Sequence, residues 1–334
     1  MRGRTGRAPA TRLMDSVTVS EGSHSPARPL IFPWLRHGLL LLPQGEKDSV
    51  ERRSGVNEAL YRAAAALIVA LAMIWTPRLA AAAPPRVLSL GQCSDQYVLA
   101  LAPRDSIVGL SPRVLDRDSY LRAQAVGLPR RRASVETILA AKPDLVVYWW
   151  LGDPRLARAL ERRGVRVVRI EDASDFEAIR SNIRRVADAL GQGPKGEALI
   201  ARMDGQLSAA QGAWGGRRAL YLTSAGFSAG PGTLIDAIMR AAGLSNATTT
   251  PGYQSISMER FVAAPPDGFV LGFFDAQGLA AQPWGSGRHD VLRRMLKGRT
   301  IGALSPAVSG CPAWFVGEAV QQLAAGAPKG LKRQ

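Results

Sequence analysis

SVETILAAKPDLVV (134–147) and SMERFVAAPPDGFV (257–270) lie 123 residues apart and agree at seven of fourteen positions: the Ser, the Glu, both Ala, the Pro, the Asp and the final Val. Each copy reads as a helix that proline interrupts, followed by a short apolar strand. A helix–strand unit recurring at a fixed offset marks internal duplication. The surroundings agree. Upstream of the first copy, 86–90 and 106–110 are short apolar runs separated by the turn Gly91-Gln92-Cys93-Ser94-Asp95 and a helical 96–102. Downstream, 145–150 reads as a continuous strand, 156–163 as a helix closed by Gly164, and 165–170 as another strand. Short strands alternating with helices specify a parallel sheet covered on both faces.

Phe176 to Leu190 then carries an amphipathic stripe of Ile179, Ile183, Val186 and Leu190. Gly191 to Pro194 interrupts it, and 195–211 continues as a helix, proline suiting its first turn. The alternation restarts with a strand at 218–223, a Gly-rich loop at 224–232 and a helix at 233–242. The expected fold class is α/β: two Rossmann-like lobes with mainly parallel sheets, residues 83–193 and 213–328, joined by one long α-helix at 194–212.

The chain has 334 residues, 46% apolar and 21% charged. Its length supports one large or two medium cores, and the single strongly apolar stretch excludes a multi-span membrane protein. That stretch, Ala63 to Trp75, follows Arg62 and precedes Ala80-Ala81-Ala82, the small-residue pattern of an export signal. Residues 56–82 are therefore read as a signal peptide. Such a peptide opens a chain, so residues 1–55, rich in Arg, Ser, Gly and Pro, are read as an untranslated or disordered leader. Localisation in the periplasm follows.

The formal net charge of +16 raises nucleic acid as a partner. The basic residues are scattered arginines, with neither a basic helix nor an RNA-binding aromatic signature, so nucleic acid is set aside. Catalysis is poorly provided for: beyond the leader only His289 remains, with no G-x-S-x-G elbow. His and carboxylate clusters for a metal are lacking, as is a phosphate-binding Gly loop with its lysine. No cofactor is expected. An enzyme of the same two-lobe architecture, acting on a small ligand in the cleft, stands as the alternative function.

Ligands of open α/β sheets bind outside the strand carboxyl ends. Gln92, Cys93 and Ser94 follow the first strand, and Tyr148, Trp149 and Trp150 end the third. Phe273-Phe274 and Trp314 fall near strand ends in the second lobe, while Phe227, Tyr253 and Trp284 lie in loops. Together these residues offer either core packing or an apolar wall for a large flat ligand. Arg113 and Arg117 are placed to meet anionic ligand groups, whereas Arg130, Arg131 and Arg132 read as a solvated face. Cys93 and Cys311 are the only cysteines. A disulfide between the lobes, two cleft thiols and two inert thiols all remain open. Glu136 and Glu259 occupy equivalent repeat positions beside Ser134 and Ser257, where capping explains them and a symmetric docking surface also does.

SLGQCSDQYVLAL (89–101), VETILAAKPDLVV (135–147), RRVADALG (184–191) and SGCPAW (309–314) together resemble the periplasmic substrate-binding proteins of cobalamin and iron-siderophore ABC importers. The resemblance spans about residues 85–326. It implies two lobes on a rigid linking helix, a cleft between them with little closure, and one Glu per lobe docking on arginines of the permease, matched here by Glu136 and Glu259. The expected function is a monomeric receptor that captures a bulky chelate or corrinoid and hands it to an inner-membrane ABC permease.

Overall fold

The computed structural model describes residues 62–66, 83–150, 154–256, 259, 265–272 and 294–328. Residues 62–66 form one exposed helical turn, and a separate compact unit begins at Ala82. The first half of that unit runs β1 (Val87–Ser89), α1 (Gln92–Leu101), β2 (Ile107–Gly109), α2 (Val135–Ala140), β3 (Leu145–Tyr148), α3 (Pro154–Glu161), β4 (Arg166–Arg169) and α4 (Phe176–Ala189). All pairs in its sheet are parallel and the strand order is β2-β1-β3-β4.

The helix α5 (Gly193–Ala210) leads to the second half: β5 (Arg218–Thr223), β6 (Phe227–Ala229), α6 (Leu234–Ala241), β7 (Ser245–Asn246), β8 (Tyr253–Ser255), β9 (Gly268–Gly272), β10 (Thr300–Leu304), α7 (Pro306–Ser309) and α8 (Val316–Ala325). Its main sheet is again parallel, in the order β10-β9-β5-β7, and β6 and β8 form a separate antiparallel pair.

Taken from the opposite edge, the second sheet is β7-β5-β9-β10. Each half therefore has the same order: second strand, first strand, repeat strand, last strand. The two sequence repeats contribute β3 and β9, each the neighbour of its half's opening strand. In both halves the chain leaves the first strand toward one edge and returns on the other side. That reversal opens a crevice at the carboxyl ends of the two central strands.

Local chemistry sets the element ends. Ser134 caps α2 by accepting from the Thr137 N–H at 3.2 Å, Asp175 caps α4 through the Ala178 N–H at 2.8 Å, and Thr233 caps α6 through the Asp236 N–H at 3.2 Å. Three expected boundaries move. Helix α1 begins at Gln92 instead of Gln96, because the Asp95 N–H already reaches the Gly91 carbonyl at 2.8 Å. Strand β3 ends at Tyr148, which frees Trp149 and Trp150 from the ladder. The Gly-rich loop contains β6, paired with β8. The second repeat helix lies almost wholly outside the described residues, with Glu259 helical and exposed.

Helix α5 has 18 residues, about 27 Å at 1.5 Å per residue. It is not a free rod. It packs along α4 on one side and α8 on the other, and Arg180 pairs with Asp204 at 2.6 Å while Arg184 pairs with Glu197 at 2.8 Å. Gly196 is where α4 and α5 touch: a Cβ there would stand 2.6 Å from that of Ala187. One apolar cluster runs through both halves, from Tyr97 and Val98 on α1 to Trp314, Phe315 and Val320. Leucine at position 196 would force the two helices apart. Gly196→Leu is expected to cost about 1–3 kcal/mol, measured as a lowered urea midpoint.

Candidate functional site

The cleft lies where the sheet topology puts a crevice. One cavity of about 450 Å³ is lined by Gly91, Gln92 and Cys93 after β1, Trp149 and Trp150 after β3, Arg113 and Asp118 from the loop after β2, and Pro306, Gly310 and Cys311 from the second half. A second, of about 400 Å³, is lined by Trp149, Asp172 to Ser174 after β4, Gly232 to Leu234 before α6, Tyr253 on β8, and Ser309 to Pro312. Trp149, Gly310 and Cys311 belong to both, so the two cavities are parts of one cleft with the indole of Trp149 at their shared wall.

Cys93 and Cys311 are bonded, 218 residues apart in sequence. The bond ties the first turn of α1 to the segment after α7 at the floor of the cleft. Beside it the Tyr97 hydroxyl donates to the Pro312 carbonyl. The Tyr97 and Trp314 rings meet edge-on at 5.8 Å, and Tyr120 stacks on Phe315 at 4.4 Å. Tyr120 also donates to Glu318, which pairs with Arg202 of α5 at 2.6 Å. Burial, reinforced by that Glu318 contact, pushes the Tyr120 phenol up to about 12. It therefore remains a donor at any physiological pH.

The polar residues of α1 position the cleft wall from behind. Asp95 is fully buried and accepts from the Ser111 backbone N–H at 2.9 Å and from the Ser111 hydroxyl. Gln96 donates to Ser119 Oγ at 2.9 Å and accepts from the Leu121 N–H at 2.7 Å. These contacts hold both ends of the loop that carries Arg113 and Asp118. Within the loop, Arg113 donates to Asp116 at 2.9 Å and to Asp118 at 3.1 Å. On the far wall the Trp149 indole N–H donates to Asp172 at 2.8 Å, which sets the plane of the ring. Gln92 Nε2 is buried at the wall without a hydrogen-bond partner. Among the described residues no group of three or more His, Cys, Asp or Glu converges, and no helix is long and apolar enough to cross a membrane.

The sequence pattern of the periplasmic binding proteins matches residues 87–272, more than half of the chain. The chain belongs to the periplasmic binding protein family. It is 27% identical over 200 residues to the cobalamin-binding protein of Halobacterium salinarum, a match covering 57% of this chain and 54% of that one. It is 24% identical over 127 residues to the uncharacterized ABC transporter substrate-binding lipoprotein YvrC of Bacillus subtilis, covering 37% and 40%. The chain thus spans about half the length of the curated relatives it matches. Among solved structures, the apo periplasmic heme-binding protein RhuT of Roseiflexus sp. RS-1 superposes with a TM-score of 0.59 at 25% identity, over 73% of this chain and 98% of that one. All three are binding proteins by name, which gives the enzyme alternative no support.

In this periplasmic binding protein the structure gathers Gln92, Cys93, Arg113, Trp149, Trp150, Tyr253 and Cys311 around the cleft. Four expected lining residues are elsewhere. Ser94 is fully buried, bonded to Ser89 Oγ and the Gly91 carbonyl at 2.9 Å each, because the α1 turn points it back at the sheet. Trp314 is 1% exposed and belongs to the aromatic core between the halves. Tyr148 packs, half-buried, on the apolar cluster over α2 and α3, and Phe227 is exposed on β6 outside the cleft lining. Arg131 donates to the Val108 carbonyl at 2.9 Å and so closes the edge of β2. Phe273, Phe274, Trp284 and His289 lie outside the described residues.

Asp118 and Asp172 escaped sequence reading. Asp172 carried one signal, its place just beyond the end of β4, where open sheets put ligand contacts.

Two measurements probe this arrangement. Replacing both cysteines, Cys93→Ser with Cys311→Ser, is expected to cost about 2–5 kcal/mol, and the unmodified protein is expected to show no free thiol without reductant. Burial raises the Asp95 carboxyl above its ordinary value of 3.8, and the Ser111 hydrogen bonds pull it partly back. The ionised form therefore costs stability, a cost absent below 3.8 and growing as pH rises through the folded value. Asp95→Asn retains an acceptor for the Ser111 N–H. Its unfolding free energy is expected to improve relative to the parent as pH rises across that window, and a flat difference would contradict the account.

Proposed function

We propose that the chain is the solute-binding component of an ABC importer, capturing a bulky metal chelate or corrinoid between its two halves and delivering it to an inner-membrane permease. The observation that carries this reading is the cleft itself. It opens at the carboxyl ends of both duplicated sheets, it is walled by Trp149, Trp150 and Tyr253, and each part falls in the range of about 300–1,000 Å³ typical of small-molecule sites. Both cysteine sulfurs are consumed by the disulfide, so neither is a thiolate donor to a metal. A cargo that brings its own coordination sphere suits such walls.

The protein works in the periplasm, reached through the signal peptide of residues 56–82. A structural disulfide fits an oxidising compartment. Residues 83–193 and 213–328 act as the two lobes and α5 as the strut between them, in a monomer. Glu136 and Glu259 are both exposed at equivalent repeat positions. The carboxyl of Glu136 is held below its ordinary range by its own backbone N–H in the first turn of α2 and by the Ser134 hydroxyl, and as a carboxylate it suits arginines of the permease.

Titration with cobalamin, a ferric hydroxamate or haem is expected to quench tryptophan fluorescence and to saturate at one equivalent, with the ligand recovered unchanged. Glu136→Ala with Glu259→Ala is expected to leave that affinity intact and abolish uptake in cells. Full uptake by the double variant would remove the docking role.

A further inference from the structure

The polar lining of the cleft is rich in hydrogen-bond acceptors, although the chain carries a formal net charge of +16. Arg113, the one arginine of the described lining, is already engaged by Asp116 and Asp118. On the other wall, among the described residues, Asp172 accepts a single hydrogen bond, from the Trp149 indole at 2.8 Å, and no cation pairs with it. A carboxylate is acceptor-only, with room for several donors. A cargo meeting this surface therefore needs donors for Asp118 and Asp172. Carboxamides supply them. Carboxylates supply acceptors alone and bring like charge against Asp172.

Two forces act the other way. The N-termini of α1 and α6 line the cleft and favour anions, each by up to roughly half a charge. Each of those helices also has a buried carboxylate in its first turn: Asp95, which no cation pairs with among the described residues, offsets the field of α1, whereas Asp236 of α6 is paired with Arg240 at 2.9 Å. The scattered surface arginines attract anions at long range, but salt of about 0.1 M screens them beyond about 10 Å. Groups in direct contact decide.

We propose that Asp172, with the Arg113–Asp118 pair, makes the cleft select cargo whose rim bears carboxamides over the same cargo bearing carboxylates. This rests on the receptor reading above and specifies which chelate or corrinoid that receptor accepts. Asp172 acts here as a specificity-determining residue that also orients Trp149.

Two corrinoids with one ring system test it: dicyanocobinamide, whose periphery is amidated, and dicyanocobyrinic acid, whose periphery is carboxylate. Binding is followed by tryptophan quenching in about 0.1 M salt, where the amide form is expected to bind at least tenfold more tightly. Asp172→Asn keeps an acceptor for the Trp149 indole and adds a donor. It is expected to shrink the ratio at least threefold, mainly by improving carboxylate binding. Equal affinities, a preference for the carboxylate form, or an unchanged ratio in Asp172→Asn would overturn the proposal. So would failure of both corrinoids to bind. In that event, binding of haem or a ferric hydroxamate in the same assay leaves the receptor reading standing, and binding of nothing removes both.

Discussion

Trp314, edge-on to Tyr97 and sealed from solvent, is the contact on which the rest of the molecule depends. Each sheet half keeps a small apolar cluster of its own, and the main one belongs to both. The Cys311–Phe315 segment of the second half fills the space beside α1 of the first, so that a single apolar cluster is shared. Burying a ring of this size contributes several kcal/mol, and the aromatic pair about 1 kcal/mol more. The disulfide and the Tyr97–Pro312 hydrogen bond sit beside that ring and share its alignment. The cleft floor is therefore the outer surface of the joint between the halves, and its shape follows from core packing.

From that joint the walls are held by groups that never touch the cleft. Asp95 and Gln96 are buried on α1, yet their partners are the backbone and side chains of the loop from Ser111 to Leu121. Buried polar groups of this kind must be satisfied or they destabilise the fold. Satisfying them gives the loop one conformation and Arg113 one place. The same logic holds on the opposite wall, where Asp172 orients Trp149. The site is thus a rigid surface built on secondary-structure ends, with α5 packed along both halves behind it.

Much of this was legible in the sequence because the determinants were periodic. The repeat at 134–147 and 257–270, the strand–helix alternation and the amphipathic stripe of Phe176 to Leu190 are local patterns, and they specify topology. The cysteines could be placed near the cleft, because Cys93 follows the first strand. Their bonding was not readable, since it depends on where a segment 218 residues away comes to rest. Ser94 and Trp314 were misplaced for a related reason. Proximity to a strand end says which residues are near the cleft, but the rotation of a helix turn decides which of them face it. Asp118 was overlooked because a single aspartate in a loop carries no pattern, and Asp172 because its one signal, a place beyond β4, is shared by every residue of that loop.

The cross-link at the cleft floor also orders events in time. Cys93 belongs to the first βα turn, and its partner lies 218 residues further along. A chain emerging from its N-terminal side presents Cys93 long before Cys311 is available to pair with it. Until then the wall made by Gln92, Trp149 and Trp150 lacks the Gly310–Cys311 segment beside it, and a thiol waits unpaired. The cleft floor is therefore completed in one late step, and a chain halted short of Cys311 lacks the bond and the sulfur that both cavities share.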